Sequence, residues 1–140
     1  MKKIVATRDA PSAIGPYSQA IRCGSMLFSA GQIPLDPNTG QMVTGDVSVQ
    51  AKRVLENIAA ILKAERLSFD HIVKTTVFLT DMNDFQTVNE IYATYFGENP
   101  PARSTVAVAG LPKGAKLEIE VIAMTSDSTT GSKTVSDTSG

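Results

Sequence analysis

Between Val47 and Leu62, apolar residues recur at intervals of three and four. Val47, Ala51, Val54, Ile58, Ile61 and Leu62 fall on one face, while Lys52, Arg53, Glu56, Asn57 and Lys63 occupy the rest. This spacing predicts an amphipathic helix over 47–64, with Asp46, or Thr44 just upstream, placed to cap its first amides. A second helical pattern begins after Asp84, expected to be its cap, and turns Phe85, Val88, Tyr92 and Tyr95-Phe96 toward a core. Gly97 and the Pro100-Pro101 pair stop it. Shorter apolar or alternating runs predict strands at 3–7, 18–22, 26–30, 72–79, 103–109 and 117–125. Gly15-Pro16, Cys23-Gly24-Ser25, Pro34 to Gly40 and Gly110 to Gly114 separate them with turn-forming residues.

The last strand carries more information than the others. Alternation puts Leu117, Ile119, Val121 and Ala123 on one face and Glu118, Glu120, Ile122 and Met124 on the other. The second face is too apolar at one end for ordinary solvent surface. With only two helices available, both packed on one side of the sheet, the opposite side needs a second chain. The fold class expected is therefore α/β, a mixed β-sheet with two helices on one face, in an oligomer.

Composition narrows the picture further. A chain of 140 residues, 42% apolar and 19% charged, fits one domain with an adequate core. That domain is expected to cover 1–125. Residues 126–140 are rich in serine and threonine, with Val135 their one large apolar residue, and read as a disordered tail. The apolar runs are too short to span a membrane, and the N-terminus lacks an export pattern, so a cytoplasmic protein is expected. Thirteen basic against fourteen acidic residues leave no basic excess for nucleic acid. The lone cysteine, Cys23, excludes an internal disulfide and is expected to be a buried, inert thiol. The lone histidine, His71, cannot complete a zinc site of the usual kinds and is expected at a surface turn or helix end.

Few motifs carry chemistry. Gly110-Leu111-Pro112-Lys113-Gly114 lacks the ending of a phosphate loop and reads as a tight strand connection. Ser29 and Ser104 have no nucleophile-elbow context. Arg103 is different, because it opens a strand stiffened by Pro100-Pro101 and shares a strand face with the small residues Thr105 and Ala107. Its planar fork suits a small carboxylate held by two parallel bonds. An ion pair with Glu118 or Glu120 across a subunit interface fits the same pattern. Glu118 and Glu120 lie one strand period apart, roughly 7 Å; a single glutamate in a partly dry pocket could activate water or protonate a departing amine.

Several segments, in order, together resemble the RidA (YjgF) family of imine and enamine deaminases. They include Ala13-Ile14-Gly15-Pro16-Tyr17-Ser18-Gln19-Ala20, Phe28-Ser29-Ala30-Gly31-Gln32-Ile33-Pro34 and Val88-Asn89-Glu90-Ile91-Tyr92. Pro101-Ala102-Arg103-Ser104-Thr105 and Leu111-Pro112-Lys113-Gly114-Ala115-Lys116-Leu117-Glu118-Ile119-Glu120 continue the series. The resemblance implies a chorismate-mutase-like homotrimer with ligand clefts between subunits. It implies hydrolysis of 2-iminopropanoate and 2-iminobutanoate to 2-oxo acids and ammonia, without a cofactor. It also implies a functional link to the pyridoxal-phosphate-dependent dehydratases that release such imines.

By the same resemblance, Arg103 clamps the substrate carboxylate and Glu118 handles water and protons. Gly31 offers a backbone amide, Tyr17 closes the pocket, and Asn89 and Thr105 line or support it. For Tyr17 an interface aromatic, and for Asn89 a packed helix residue, are the alternative readings. Two positions depart from the family pattern: Thr105 stands where cysteine is frequent, and Ala30 where serine is. Two other functions remain to be weighed, a small-molecule-binding regulatory trimer and an RNA-cleaving translation inhibitor, the latter disfavoured by balanced charge and few aromatics.

Overall fold

The computed structural model describes residues 1–125; the expected tail at 126–140 lies outside the described residues. Six strands form one mixed sheet: β1 (Lys2–Val5), β2 (Ala20–Cys23), β3 (Met26–Ser29), β4 (Ile72–Leu79), β5 (Ala102–Ala107) and β6 (Leu117–Met124). Two helices complete it, α1 (Val47–Ala64) and α2 (Phe85–Ala93). The spatial order is β1-β2-β3-β6-β4-β5, antiparallel throughout except for the parallel pair β4 and β5. Strands β3 and β4 both run antiparallel to β6, and so parallel to each other. Parallel neighbours need a crossover that leaves and re-enters the sheet. Helix α1 supplies it between β3 and β4, and α2 between β4 and β5.

Both crossovers lie on the same side. Val54, Leu55, Ile58, Ile61 and Leu62 of α1 and Val88 and Tyr92 of α2 share one core with Leu27, Val77, Leu79, Leu117, Ile119 and Ala123 of the sheet. Each such Leu or Ile, fully buried, contributes roughly 2 kcal/mol. Asp46 caps α1 as expected, accepting from the Ser48 and Val49 amides. The helix ends without a glycine. Arg66 takes the left-handed conformation (φ 61°), which lets the Leu67 amide reach the Leu62 carbonyl at 2.9 Å and the Arg66 amide reach that of Lys63 at 3.0 Å.

Four details differ from the sequence reading. Asp84 makes no capping bond; Asp81 caps the short 3₁₀ turn Met82–Asp84 that leads directly into α2. Helix α2 stops at Ala93, before Tyr95-Phe96, because Thr94 turns its hydroxyl onto the Ile91 carbonyl (2.6 Å); Phe96 still reaches the core from the following turn. Cys23 is exposed rather than buried, since it ends β2 at the hairpin tip, paired with Met26. Asn57, placed among the surface residues by pattern, is fully buried at 0% exposure. Its amide donates to the Leu35 carbonyl at 3.0 Å and its oxygen accepts from Arg53, so a helix residue pins the excursion that follows β3.

No helix of the described residues covers the other face of the sheet. In-register partners share a face, so Ile4, Ile21 and Phe28 line up on it, as do Ile122, Phe78 and Glu118. Phe28 is 42% exposed and Met124, on the same side, 47%. Contiguous exposed apolar surface of this kind marks an interaction face.

Candidate functional site

The residues singled out from the sequence fall into two groups, and the sheet separates them. The first group gathers around the end of β3. Gly31 follows β3 and lies against Glu118 so closely that a Cβ placed on it would overlap the carboxylate, coming within 1.8 Å of Oε2. Glycine is required here for approach, not for backbone angle. The Gly31 amide makes no hydrogen bond among the described residues, because the chain bonds on either side of it: Ala30 donates to the Gln19 carbonyl and Gln32 exchanges bonds with Ile119.

Glu118 likewise has no ion pair or side-chain hydrogen bond among the described residues. Burial pushes its carboxyl above the ordinary range, and the neighbouring charge of Glu120 adds to the effect. Such a group holds a proton more readily than a surface glutamate.

Tyr17 stands over this corner, 53% exposed, with its hydroxyl accepting from the Ile14 amide at 3.3 Å. Tyr17, Gly31, Gln32, Ile33 and Lys113 line a cleft of about 230 Å³. Its wall is held by Gln19, a buried residue that accepts from the Thr7 amide at 2.7 Å and donates to the carbonyls of Thr7, Ala10 and Pro11. One side chain therefore ties down the whole loop between β1 and β2.

The second group lies on the helix-covered side, at the sheet edge. Arg103 of β5 is in register with Thr75 of β4, whose hydroxyl meets that of Tyr92 on α2 at 2.7 Å. The guanidinium rests 4.8 Å from the Tyr92 ring and 5.5 Å from the Phe85 ring, and its Nη1 donates to Asn89 Oδ1 at 2.7 Å. Stacking and one hydrogen bond thus fix the plane of the fork while leaving its other donors available. Arg103 shares its face of β5 with Thr105, as expected, and two aromatic rings of α2 support its guanidinium in addition. Phe85, Asn89 and Tyr92 are spaced by four and three residues, hence on one face of α2. The β4-α2-β5 crossover brings that face against β5, a signal present in the sequence once the crossover is recognised. Thr105 is on the same side of β5 as Arg103, in register with the buried Val77. Asn89, Tyr92, Phe96, Pro101 and Arg103 line a separate cleft of about 400 Å³.

Arg103 and Glu118 thus leave opposite faces of the sheet. Arg103 is aligned with Thr75, and Glu118 with Phe78, three residues along β4 on the other side. Two strand spacings and three residues of rise set their Cα atoms about 14 Å apart. One chain alone does not bring them to a common point.

Other chemistry is sparse. Ser29 accepts from the Val121 amide and serves the sheet. His71 forms a capping box with Ser68 and lines a different cleft, with Lys3, Arg22 and Glu65. Among the described residues no group of three histidine, cysteine, aspartate or glutamate side chains is placed to hold a metal ion. No described helix is long and apolar enough to cross a membrane.

Known proteins share this arrangement. The family model described as Endoribonuclease L-PSP matches residues 7–125. The human protein named 2-iminobutanoate/2-iminopropanoate deaminase is 49% identical over 132 residues, covering 94% of this chain and 96% of that one. The solved structure of E. coli TdcF with bound serine is 53% identical with a TM-score of 0.85, spanning 89% of this chain and 99% of its own. That of the E. coli YjgF gene product is 50% identical with a TM-score of 0.83, spanning 87% and 98%. With strands β2 to β6, the glycine–glutamate corner and the aromatic-backed arginine all inside the matched span, the chain belongs to the RidA (YjgF) family.

Proposed function

We propose that this protein hydrolyses small 2-imino acids, such as 2-iminopropanoate and 2-iminobutanoate, to the 2-oxo acid and ammonia, in clefts shared between copies of the chain. The observation that carries the proposal is Glu118, raised in proton affinity by burial and without an ion pair among the described residues, packed against Gly31, whose amide makes no hydrogen bond among them. The second support is an arginine fork, backed by Tyr92 and Asn89, on the face of the sheet opposite its own chain's Glu118.

A homotrimer in which the uncovered sheet faces meet brings Arg103 of one copy to the Tyr17–Gly31–Glu118 corner of the next. In that cleft Arg103 binds the substrate carboxylate through two parallel bonds. Asn89 keeps the fork in plane, and Tyr17 and Thr105 bound the space left for the substrate. Glu118, ionised, takes a proton from water as the water oxygen bonds to the imine carbon, and passes that proton to the imine nitrogen, giving a carbinolamine. The regenerated carboxylate then takes the hydroxyl proton and delivers it to the amine as the carbon–nitrogen bond breaks, leaving a 2-oxo acid and ammonia. No electron transfer occurs, and no metal or organic cofactor is required by the balance. A glutamate whose proton affinity burial has raised suits a relay in both directions. Such imines are the products of dehydratases acting on hydroxylated amino acids, which makes those enzymes the natural suppliers.

The test couples the purified full-length protein to a dehydratase that releases 2-iminopropanoate from serine. Pyruvate and ammonia should appear faster than in buffer. No acceleration at micromolar protein would sink the proposal and favour a binding or regulatory role. RNA cleavage has less support, since the only histidine lies in another cleft and Glu118 has no cationic partner among the described residues.

A further inference from the structure

Lys113 occupies a backbone conformation that its residue type disfavours. It sits inside the 3₁₀ turn Pro112–Gly114 with φ 56° and ψ 22°, and the glycine beside it is also left-handed at φ 70°. A non-glycine residue in this region costs about 1 kcal/mol, which a glycine would avoid. The turn is firmly anchored. Ala115 is buried and donates to the Pro112 carbonyl at 3.1 Å, and the Lys116 amide is held by Gln50 at 3.1 Å. The Lys113 ammonium itself has no ion pair or hydrogen bond among the described residues. Among the described residues it is the one cationic side chain lining the cleft of Tyr17 and Gly31, whose wall between them is apolar, with Ile14 and Ile33.

We infer that Lys113 is a specificity residue that binds a second carboxylate, so that this cleft accepts 2-imino dicarboxylates in addition to small monocarboxylic imines. The inference rests on the proposed imine hydrolysis. In the completed cleft Arg103 of the neighbouring copy neutralises the carboxylate next to the imine carbon. A monocarboxylic substrate then leaves Lys113 without a counter-charge. A side chain ending in a carboxylate would lay its methylene groups along Ile33 and place its charge at the ammonium. The reaction is unchanged: water adds across the carbon–nitrogen double bond, and ammonia leaves as the carbonyl forms.

The experiment compares 2-iminosuccinate, generated in place from aspartate by an amino-acid oxidase, with 2-iminopropanoate. For each, kcat/KM is measured with the full-length protein and with Lys113→Gln, Lys113→Gly and Lys113→Arg. The quantity read is the ratio of the two efficiencies, in which any effect on the shared chemistry cancels. An exposed charge pair supports a ratio about fivefold lower in Lys113→Gln and Lys113→Gly, carried by KM, with Lys113→Arg close to the parent. Lys113→Gly fits the left-handed backbone, so misfolding does not confuse the result. An unchanged ratio overturns the inference and leaves imine hydrolysis standing, as does equal loss with both substrates. Failure of the parent protein to accelerate either substrate overturns both readings together.

Discussion

Two inactive variants should restore each other when mixed, because Arg103 and Glu118 leave opposite faces of the sheet. The perturbations are Arg103→Ala, which empties the carboxylate clamp, and Glu118→Gln, which keeps the shape of the corner but removes its proton exchange. In the proposed closed trimer every cleft takes its arginine from one copy and its glutamate from the next. Every trimer that contains both variants, in either ratio, has one cleft of three in which an intact Arg103 meets an intact Glu118. About one third of parental activity per trimer should return in the doubly selected material. Neither variant alone should exceed a few per cent, since each loses a contact worth roughly 3 kcal/mol. The assay is steady-state 2-iminopropanoate hydrolysis by co-expressed, differently tagged variants, isolated through both tags and checked for trimeric mass. If the mixed trimers stay as inactive as their parents, each cleft draws both residues from one chain, and the two-faced reading of the sheet is wrong.

Other expectations follow from single contacts. Arg103→Lys keeps the charge but loses the stacked fork over Tyr92 and its bond to Asn89, so kcat/KM should fall about a hundredfold in a variant that still elutes as the parent does; near-normal efficiency would refute the clamp. Gly31→Ala forces the Glu118 carboxylate to move from its present position, and a displacement of about 1 Å should lower kcat roughly a hundredfold with little change in melting temperature. Asn57→Ala leaves the buried Leu35 carbonyl without its donor, and chemical denaturation should register a loss of about 2 kcal/mol.

The carboxyl of Glu118 is raised in the folded chain, so its stabilising balance is intact below the unfolded carboxylate range and is lost as pH rises through the folded value. Glu118→Gln should therefore melt higher than the parent at about pH 8, and the difference should vanish near pH 4. A difference that grows on acidification would contradict the assigned direction.

The amino-acid order alone determined much of this protein. Period and capping fixed α1 from Val47 to Ala64 with Asp46 at its head, since helix geometry depends on residues only a few positions apart. Alternation in β6 separated a helix-facing row from a second, partly apolar one, and that is the face the structure leaves uncovered. Arg103 and Glu118 were visible as candidates because a proline-stiffened arginine and a glutamate among apolar residues are each locally unusual.

Only the tertiary structure decided the rest. Asn57 looked like surface because its position on the helix is polar; it is buried because the chain after β3 folds back over it to use its amide. Cys23 looked like core by residue type and is exposed because the hairpin ends there. Phe85 and Tyr92 became supports for Arg103 only when the crossover set α2 beside β5. That Arg103 and Glu118 point away from each other depends on strand order and register. These are long-range pairings, which a strand's own period of two leaves undetermined.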